Sequence, residues 1–127
     1  MDVFRRNTIL FGIGGLGYGL IELLWRGYTH WSMAIAGGLS VVMMARVNTR
    51  FRARPLLYKA ALCAVGITGI ELVFGLIFNR WLKMRVWDYS DMPLNFMGQI
   101  CLLYTVLWGV LCCAALPFLR RVERYIL

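Results

Sequence analysis

The stretch LLYKAALCAVGITGIELVFGLIF, residues 56–78, is an apolar run of the length that crosses a bilayer as a helix. Its charged residues are Lys59, near the start, and Glu71, well inside. Similar apolar runs occupy residues 8–25, 31–45 and 100–119. Because a membrane-spanning chain must satisfy its backbone hydrogen bonds internally, these runs predict an all-α fold: a polytopic bundle of four transmembrane helices in one domain, residues 1–127.

The composition excludes most soluble classes of protein. The chain has 127 residues, of which 61% are hydrophobic and 16% charged, with a mean hydropathy of +0.68. Soluble domains are typically about 45–50% apolar and about 25% charged. A chain this short buries too little surface to hide the excess in one core. A soluble enzyme, a disordered binder and a disulfide scaffold are therefore excluded, and the lipid bilayer is the expected surrounding.

The distribution of basic residues predicts the topology. The formal net charge is +8, and ten of the 14 Lys and Arg residues lie at the N-terminus, between residues 45 and 60, or after residue 119. The positive-inside rule then puts both termini in the cytoplasm of a multi-pass protein of the bacterial cytoplasmic (inner) membrane. The positive charge indicates the topology of the protein and an attraction to anionic lipid, so we expect no nucleic acid partner. Residues 119–127 are predicted to form a short amphipathic tail on the cytoplasmic surface.

The four runs are predicted to form two hairpins, and the two halves of the chain show a weak internal sequence similarity. Ile21-Glu22-Leu23 and Ile70-Glu71-Leu72 occupy similar places in the two halves, which is consistent with a parallel duplication. The run at residues 31–45 is the shortest, and it is either a thin helix or partly re-entrant.

Two stripes of small and polar residues repeat every three or four positions, so each stripe occupies one helix face. The first comprises Thr8, Gly12, Gly15, Gly19, Glu22 and Arg26, and the second comprises Ala61, Ala64, Thr68, Glu71, Gly75 and Asn79. Small residues let transmembrane helices approach closely. We therefore predict helix packing at Gly12, Gly15, Gly19, Ala64, Thr68 and Gly75.

Each stripe contains a carboxylate, and the two have different alternatives. Glu22 lies one turn from the external end, where it either pairs with Arg26 at i+4 or belongs to a site. Glu71 precedes Asn79 by eight residues, which puts it about 12 Å inside the external end. A buried carboxylate must be protonated, paired or hydrated, so Glu71 predicts a polar site open to the outside.

The external loop, residues 80–99, adds further polar groups to the same side. The candidate substrate- or ion-binding residues are Glu71, Glu22, Arg26, His30, Asn79, Asp88, Tyr89, Asn95 and Gln99. Structural alternatives exist for several: Asn95 as a helix N-cap, and Asp88 as an ion-pair partner of Arg85 or Arg26. With a single histidine and no nucleophile or phosphate-loop motif, we expect no metal, no cofactor and no catalytic residue.

Two blocks of sequence resemble a known family. They are Val86-Trp87-Asp88-Tyr89-Ser90, followed by Pro93, Asn95, Gly98-Gln99-Ile100-Cys101-Leu102 and Trp108, and residues 21–33, followed by Gly37-Gly38. Both are similar to the small bacterial membrane proteins of the putative type IV ABC-transporter permease (CmpB-type) family, over nearly the whole chain. The resemblance implies a compact bundle of transmembrane helices, with Glu22, Arg26, His30, Glu71, Asp88, Asn95 and Gln99 as characteristic polar positions.

These observations favour a small membrane transport or channel-like subunit, with an outward-facing polar site around Glu71 and Glu22. Four short helices enclose little volume, so we expect a homo-oligomer, with an unidentified ATPase or other membrane partner as a further expectation. The alternatives are a non-transporting scaffold and, third, an intramembrane enzyme. The enzyme would use His30 with Asp88 or Glu71 on a lipid or envelope precursor.

Overall fold

The computed structural model describes residues 3–27, 30–84, 87 and 90–125, except for the side chain of Arg26. Four helices make up most of it: α1 Val3–Arg26, α2 Trp31–Arg50, α3 Leu56–Phe74 and α4 Leu102–Tyr125. A π-helical segment, Gly75–Trp81, continues α3 directly. Two short strands, β1 Asn95–Phe96 and β2 Ile100–Cys101, pair antiparallel just before α4, with Asn95 opposite Cys101. The predicted all-α class is confirmed.

Three of the helical spans are long and apolar enough to cross a membrane: Val3–Trp25, Leu56–Trp81 and Leu102–Tyr125. Helix α2 is 20 residues long, longer than the predicted run at 31–45, yet its composition is less apolar and it falls outside this set. A membrane protein with three apolar spans is therefore what the structure supports. The fourth crossing stays a prediction.

The helices pack in chain order and alternate in direction. Helix α1 packs on α2, α2 on α3 and α3 on α4, and α2 also contacts α4. Helix α2 is thus central, and nine of its residues are buried. We call the end that holds the start of α1 and the end of α4 the basic end, where Arg6 pairs with Glu123. The opposite end, which carries residues 82–101, is the loop end.

Glycines bring α1 and α2 into backbone contact. A Cβ on Gly14 would stand 2.4 Å from the carbonyl oxygen of Gly37, and one on Gly15 would stand 3.0 Å from that of Ala34. A Cβ on Gly38 would lie 2.7 Å from the ring of Phe11. The α1–α2 seam therefore depends on glycine at these positions, because nothing larger than hydrogen fits.

Of the glycines predicted to form the α1 seam, Gly15 lies against α2, whereas Gly12 and Gly19 do not. Neither of these two has a described neighbour within 4 Å of its missing Cβ. Glycines occupy several faces of α1, and the face that meets α2 is set by Phe11 and Tyr18, which fit against Gly38 and Gly37. The fit of Phe11 and Tyr18 against α2 therefore determines which α1 glycines pack on α2. Lying on the same helix face as Glu22 does not determine it.

The predicted α3 seam faces α4 as expected. The hydroxyls of Thr68 and Thr105 are 2.9 Å apart and share a hydrogen bond. The Cβ of Ala64 lies 3.7 Å from where a side chain on Gly109 would begin. Ala61, on the same predicted stripe, is exposed. The small and hydroxyl side chains thus join the two helices over several turns.

At the basic end, the predicted separate tail is wrong, because α4 runs unbroken to Tyr125. Leu119 and Val122 are buried on its inner side, so this segment is the last part of α4 and not a surface tail. Asn48 of α2 donates a 3.0 Å hydrogen bond from Nδ2 to the carbonyl oxygen of Leu116. This contact and the Arg6–Glu123 ion pair fix the end of α4 against α1 and α2.

Candidate functional site

A cavity of about 260 Å³ lies on the loop-end half of the bundle, in the flank between α1 and α4. Helix α1 packs on α2 and α4 packs on α3, so this flank is not filled by a direct helix–helix seam. The lining includes five aromatic side chains and one carboxylate: Tyr18, Trp25, Trp87, Tyr104, Trp108 and Glu22. The cavity is therefore mostly apolar, with a single acidic group among its lining residues.

Helix α1 positions Glu22 in the cavity. The side chain is 9% exposed, and Tyr18 and Trp25 lie four residues before it and three after it on the same helix face. An aromatic residue therefore flanks the carboxylate on each side along α1. A carboxylate in such a site is held away from bulk water, which strengthens its interaction with any positive charge nearby.

Glu71 lies behind the cavity wall and is 5% exposed. Its Oε1 accepts a hydrogen bond from the indole Nε1–H of Trp108, and the ring of Trp108 lines the cavity. Glu71 is thus a supporting residue, one layer from the lining among the described side chains. The helix changes from α to π geometry at Gly75, one turn after Glu71, and such π segments are often found at functional sites.

The Trp108 ring also contacts Tyr18 of α1, with the two centroids 5.4 Å apart and the planes tilted by 30°. A second cavity, of about 220 Å³, begins on the other side of this pair and runs toward the basic end. Small and aliphatic residues line it, among them Gly17, Gly37 and Val41. The Tyr18–Trp108 pair therefore lines both an aromatic chamber that contains Glu22 and a second, mainly apolar chamber that contains Ser40.

Asn79 and Gln99 hold Trp87, which lines the cavity, through hydrogen bonds. Asn79 donates from Nδ2 to Gln99 Oε1 at 2.9 Å, and its Oδ1 accepts from the backbone N–H of Trp87 at 3.3 Å. The indole N–H of Trp87 donates to the Gln99 carbonyl oxygen at 2.8 Å. Gly75 permits this arrangement, because a Cβ there would stand 2.5 Å from Gln99 Oε1.

Asn95 and His30 have local structural partners. Asn95 donates to the carbonyl oxygen of Met92 at 2.8 Å and accepts from the N–H of Gly98 at 3.0 Å, so it shapes the turn before α4. His30 is the N-cap of α2, where its Nδ1 accepts from the backbone N–H of Ser32 at 3.2 Å. Both residues organise the loop end and are not among those that line the cavity in the described part of the chain.

The predicted site residues thus divide into three groups. Glu22 lines the cavity, and Glu71 supports its wall. Asn79, Gln99, Asn95 and His30 hold the loop and the start of α2. Asp88, Tyr89 and the Arg26 side chain lie outside the described residues.

Sequence reasoning missed Tyr18, Tyr104 and Trp108 as cavity residues. A signal existed, because Tyr18, Glu22 and Trp25 share one face of α1, and Tyr104, Trp108 and Leu111 share one face of α4. Aromatic residues in a transmembrane segment are usually packing groups or interfacial anchors, so their spacing alone does not predict a cavity.

The described residues 3–27, 30–84, 87 and 90–125 contain no group of three or more His, Cys, Asp and Glu side chains placed to hold a metal ion. What the arrangement can do is bind a solute that has an apolar surface and a positive charge. Aromatic faces and a shielded carboxylate both attract such a group.

Comparison with known proteins gives one match. No curated protein and no solved structure shows significant similarity to this chain. The profile of the family described as "Putative ABC-transporter type IV" matches residues 9–126, which include most of α1 and all of α2, α3 and α4. The profile covers nearly the whole chain, and the chain therefore belongs to the putative ABC-transporter type IV family.

Proposed function

We propose that the protein is a small membrane transport subunit that binds a cationic organic solute in the cavity between α1 and α4. The observation that carries the proposal is the composition of that cavity, five aromatic side chains around the carboxylate of Glu22. In this proposal Glu22, which also has an interaction within the protein, provides negative charge beside the solute. Glu71 orients Trp108, which forms part of the wall.

The chemistry of the lining favours an organic cation over a metal ion. Hard cations such as Mg²⁺ and Ca²⁺ take six or more oxygen ligands, whereas this lining offers mainly ring faces and aliphatic carbon. A quaternary ammonium or alkylammonium group gains from the ring quadrupoles by about 0.5–2 kcal/mol per contact. Its alkyl substituents fit the apolar chamber beyond Tyr18 and Trp108.

The flank between α1 and α4 supports a route for such a solute. Both helices have exposed apolar residues here, including Ile21 and Leu107, each 43% exposed. A lipophilic cation that has partitioned into the bilayer interface can enter between the helices without crossing a polar barrier. The Tyr18–Trp108 pair lines both the entry chamber and the apolar chamber.

The proposal includes orientation and assembly. We propose that the basic end, which carries most of the Lys and Arg residues, faces the cytoplasm of a bacterial cell, so that the cavity faces outward. We also propose that the working unit is a homo-oligomer, because four short helices enclose little volume. An ATPase partner would have to engage the basic end, where the α2–α3 connection lies.

The binding experiment uses choline and its neutral carbon isostere, 3,3-dimethylbutan-1-ol, which differ only in the charge. Both are titrated against the purified protein in nanodiscs while the intrinsic tryptophan fluorescence is recorded, since Trp25, Trp87 and Trp108 line the cavity. We expect choline to change the fluorescence at lower concentration than the alcohol. We expect Glu22→Gln to weaken choline binding by about tenfold, which corresponds to about 1.4 kcal/mol.

The matched control is Glu123→Gln, which removes a carboxylate of the same type at the basic end. That variant should bind choline like the wild type. Equal affinity for choline and the alcohol, or equal losses in the two variants, would overturn the cation site.

Transport is tested separately in proteoliposomes with labelled choline. We expect uptake by the wild type, and loss of uptake in Glu71→Leu with normal expression, because leucine cannot accept the Trp108 N–H. Unchanged flux in Glu71→Leu would contradict the role given to Glu71.

A scaffold is the second candidate, and the Glu71–Trp108 hydrogen bond favours it. A buried carboxylate that holds a tryptophan on the neighbouring helix is a typical stabilising contact. If the protein is a scaffold, Glu71→Leu lowers the melting temperature in detergent by several degrees, and neither choline binding nor uptake is observed with the wild type.

A further inference from the structure

A third cavity, which is lined by positively charged side chains, lies at the basic end between the start of α3 and the end of α4. Its volume is about 510 Å³, and its lining contains six cationic side chains: Arg52, Arg54, Lys59, Arg120, Arg121 and Arg124. No carboxylate is among its described lining residues. Glu123, on the same turn of α4 as three of these arginines, is engaged by Arg6 of α1.

Lys59 distinguishes this cavity from an ordinary basic surface. The residue lies in the first turn of α3 and is only 5% exposed. Within residues 3–27, 30–84, 87 and 90–125, its ammonium group has no hydrogen-bond acceptor and no carboxylate partner. Among the described side chains, the one enclosed polar atom without a partner is Glu123 Oε1, so the Lys59 ammonium group at the end of this mostly buried side chain opens into the cavity. An anion in the cavity would offset the mutual repulsion of Lys59 and the arginines.

The other cations of the cavity point to the type of anion. Arginine side chains offer planar forks of N–H donors that match phosphate oxygens. Two of the arginines precede α3 and three lie in the last turns of α4, so their N–H donors reach the cavity from two sides. The rest of the lining is Asn48 and three apolar residues, Leu56, Leu116 and Pro117, so the cavity suits a ligand that has both a charged group and an apolar part.

We propose that this cavity is a phosphate-binding site. Lys59 provides a positive charge inside the cavity, and the arginines of the α2–α3 connection and of α4 donate hydrogen bonds to the phosphate oxygens. The shared chemistry is a phosphate anion, carried by an anionic phospholipid headgroup or free in solution. Basic pockets between transmembrane helices bind phospholipid headgroups in this manner. The site is independent of the cation cavity, which lies at the other end of the bundle.

The test is a thermal unfolding experiment on the purified protein in neutral detergent. Phosphatidylglycerol, phosphatidylcholine or inorganic phosphate is added to separate samples. A ligand that binds only the folded state raises the melting temperature in a concentration-dependent manner. We expect phosphatidylglycerol or inorganic phosphate to raise it and phosphatidylcholine, which has no net charge, to leave it unchanged. Which of the two anions acts identifies the source of the phosphate.

Lys59→Met gives the sharpest readout because its two effects have opposite signs. Without added anion the variant should melt at a higher temperature than the wild type, since one of the mutually repelling positive charges of the cavity has been replaced by an apolar side chain of similar length. With the active anion it should gain little, and its apparent affinity should fall by about tenfold, as expected when one charge-assisted contact is lost.

Two further variants control for charge and for folding. Arg121→Gln alters an exposed lining residue, so it should fold normally and still weaken the anion effect. Arg46→Gln removes the same charge from the same end of the bundle but lies outside this cavity, and it should behave like the wild type. Equal anion effects in the wild type, Lys59→Met and Arg121→Gln, or a response to phosphatidylcholine equal to that to phosphatidylglycerol, would overturn the site.

Discussion

The indole N–H of Trp108 on α4 donates a hydrogen bond to the carboxylate of Glu71 on α3. The two residues belong to helices that pack against each other, and the indole ring extends beyond them to contact Tyr18 on α1. One hydrogen bond therefore sets the orientation of the ring that lines both cavities of the α1–α4 flank. The consequences for stability and for binding can be measured separately.

Trp108→Phe keeps an aromatic ring in the wall but removes the donor to Glu71. We expect it to lower the free energy of unfolding by about 1–3 kcal/mol, because a buried acceptor loses a partner. The measurement is denaturant unfolding in mixed micelles. Adding Glu71→Leu to the same chain should restore part of the loss, since both polar groups are then gone. A double variant as unstable as the sum of the single ones would contradict the pairing.

Gly14→Ala and Gly12→Ala form a matched pair on α1. A methyl group on Gly14 would stand 2.4 Å from the Gly37 carbonyl oxygen, whereas none of the described atoms lies within 4 Å at Gly12. We expect Gly14→Ala to destabilise the protein by about 1–3 kcal/mol through overpacking. Gly12→Ala should be neutral or stabilise by up to about 1 kcal/mol, since it reduces the entropy of the unfolded chain. Melting temperatures in one detergent decide the matter, and equal effects at both positions would refute the α1–α2 seam.

Asn79→Leu should loosen the segment that carries Trp87, which lines the cavity. The substitution removes the hydrogen bonds to Gln99 and to the Trp87 backbone and leaves the helix packing in place. We expect faster tryptic cleavage after Lys83, which is exposed, with only a small change in melting temperature. Asn7→Leu, at the other end of the bundle, is the control. A cleavage rate unchanged by Asn79→Leu would show that other contacts hold the loop.

The Arg6–Glu123 ion pair should contribute little to stability in solution. The Arg6 side chain is 40% exposed and that of Glu123 is 15% exposed, so solvent screens their attraction. We expect Glu123→Gln to reduce the free energy of unfolding by less than about 1 kcal/mol, with a smaller difference at high salt. Unfolding of the wild type and the variant at two salt concentrations provides the test, and a loss of several kcal/mol at either concentration would contradict the expectation.

The packing face of a helix was predictable from the sequence where small and polar residues repeat on one face. On α3 the predicted stripe of Ala64, Thr68 and Glu71 shares one face, and all three residues lie toward α4 in the structure. On α1 glycines occur on several faces, and the choice among them depends on how Phe11 and Tyr18 fit against α2. That fit is a tertiary property, and no spacing rule reveals it.

The site was predictable in part for a related reason. Carboxylates inside apolar runs are conspicuous, and Glu22 and Glu71 were both identified from the sequence. The cavity itself results from helix order: α1 and α4 flank α2 and α3 without filling the space between them. The change to π geometry at Gly75 and the Asn79–Gln99 contact depend on long-range packing, so the loop polar residues could not be assigned as structural from the chain alone.

The position of α2 has a consequence for how the chain is inserted during synthesis. Ser32, Ser40 and Asn48 are buried by neighbouring helices, and a helix leaving the translocon alone would expose them to acyl chains. Docking on α1 at Gly14 and Gly15 would reduce that exposure, whereas Asn48 is satisfied only when α4 provides the Leu116 carbonyl oxygen. We therefore expect α1 and α2 to partition into lipid as a preformed pair. A defect in this early pairing would then appear as failed biogenesis and degradation of the nascent chain.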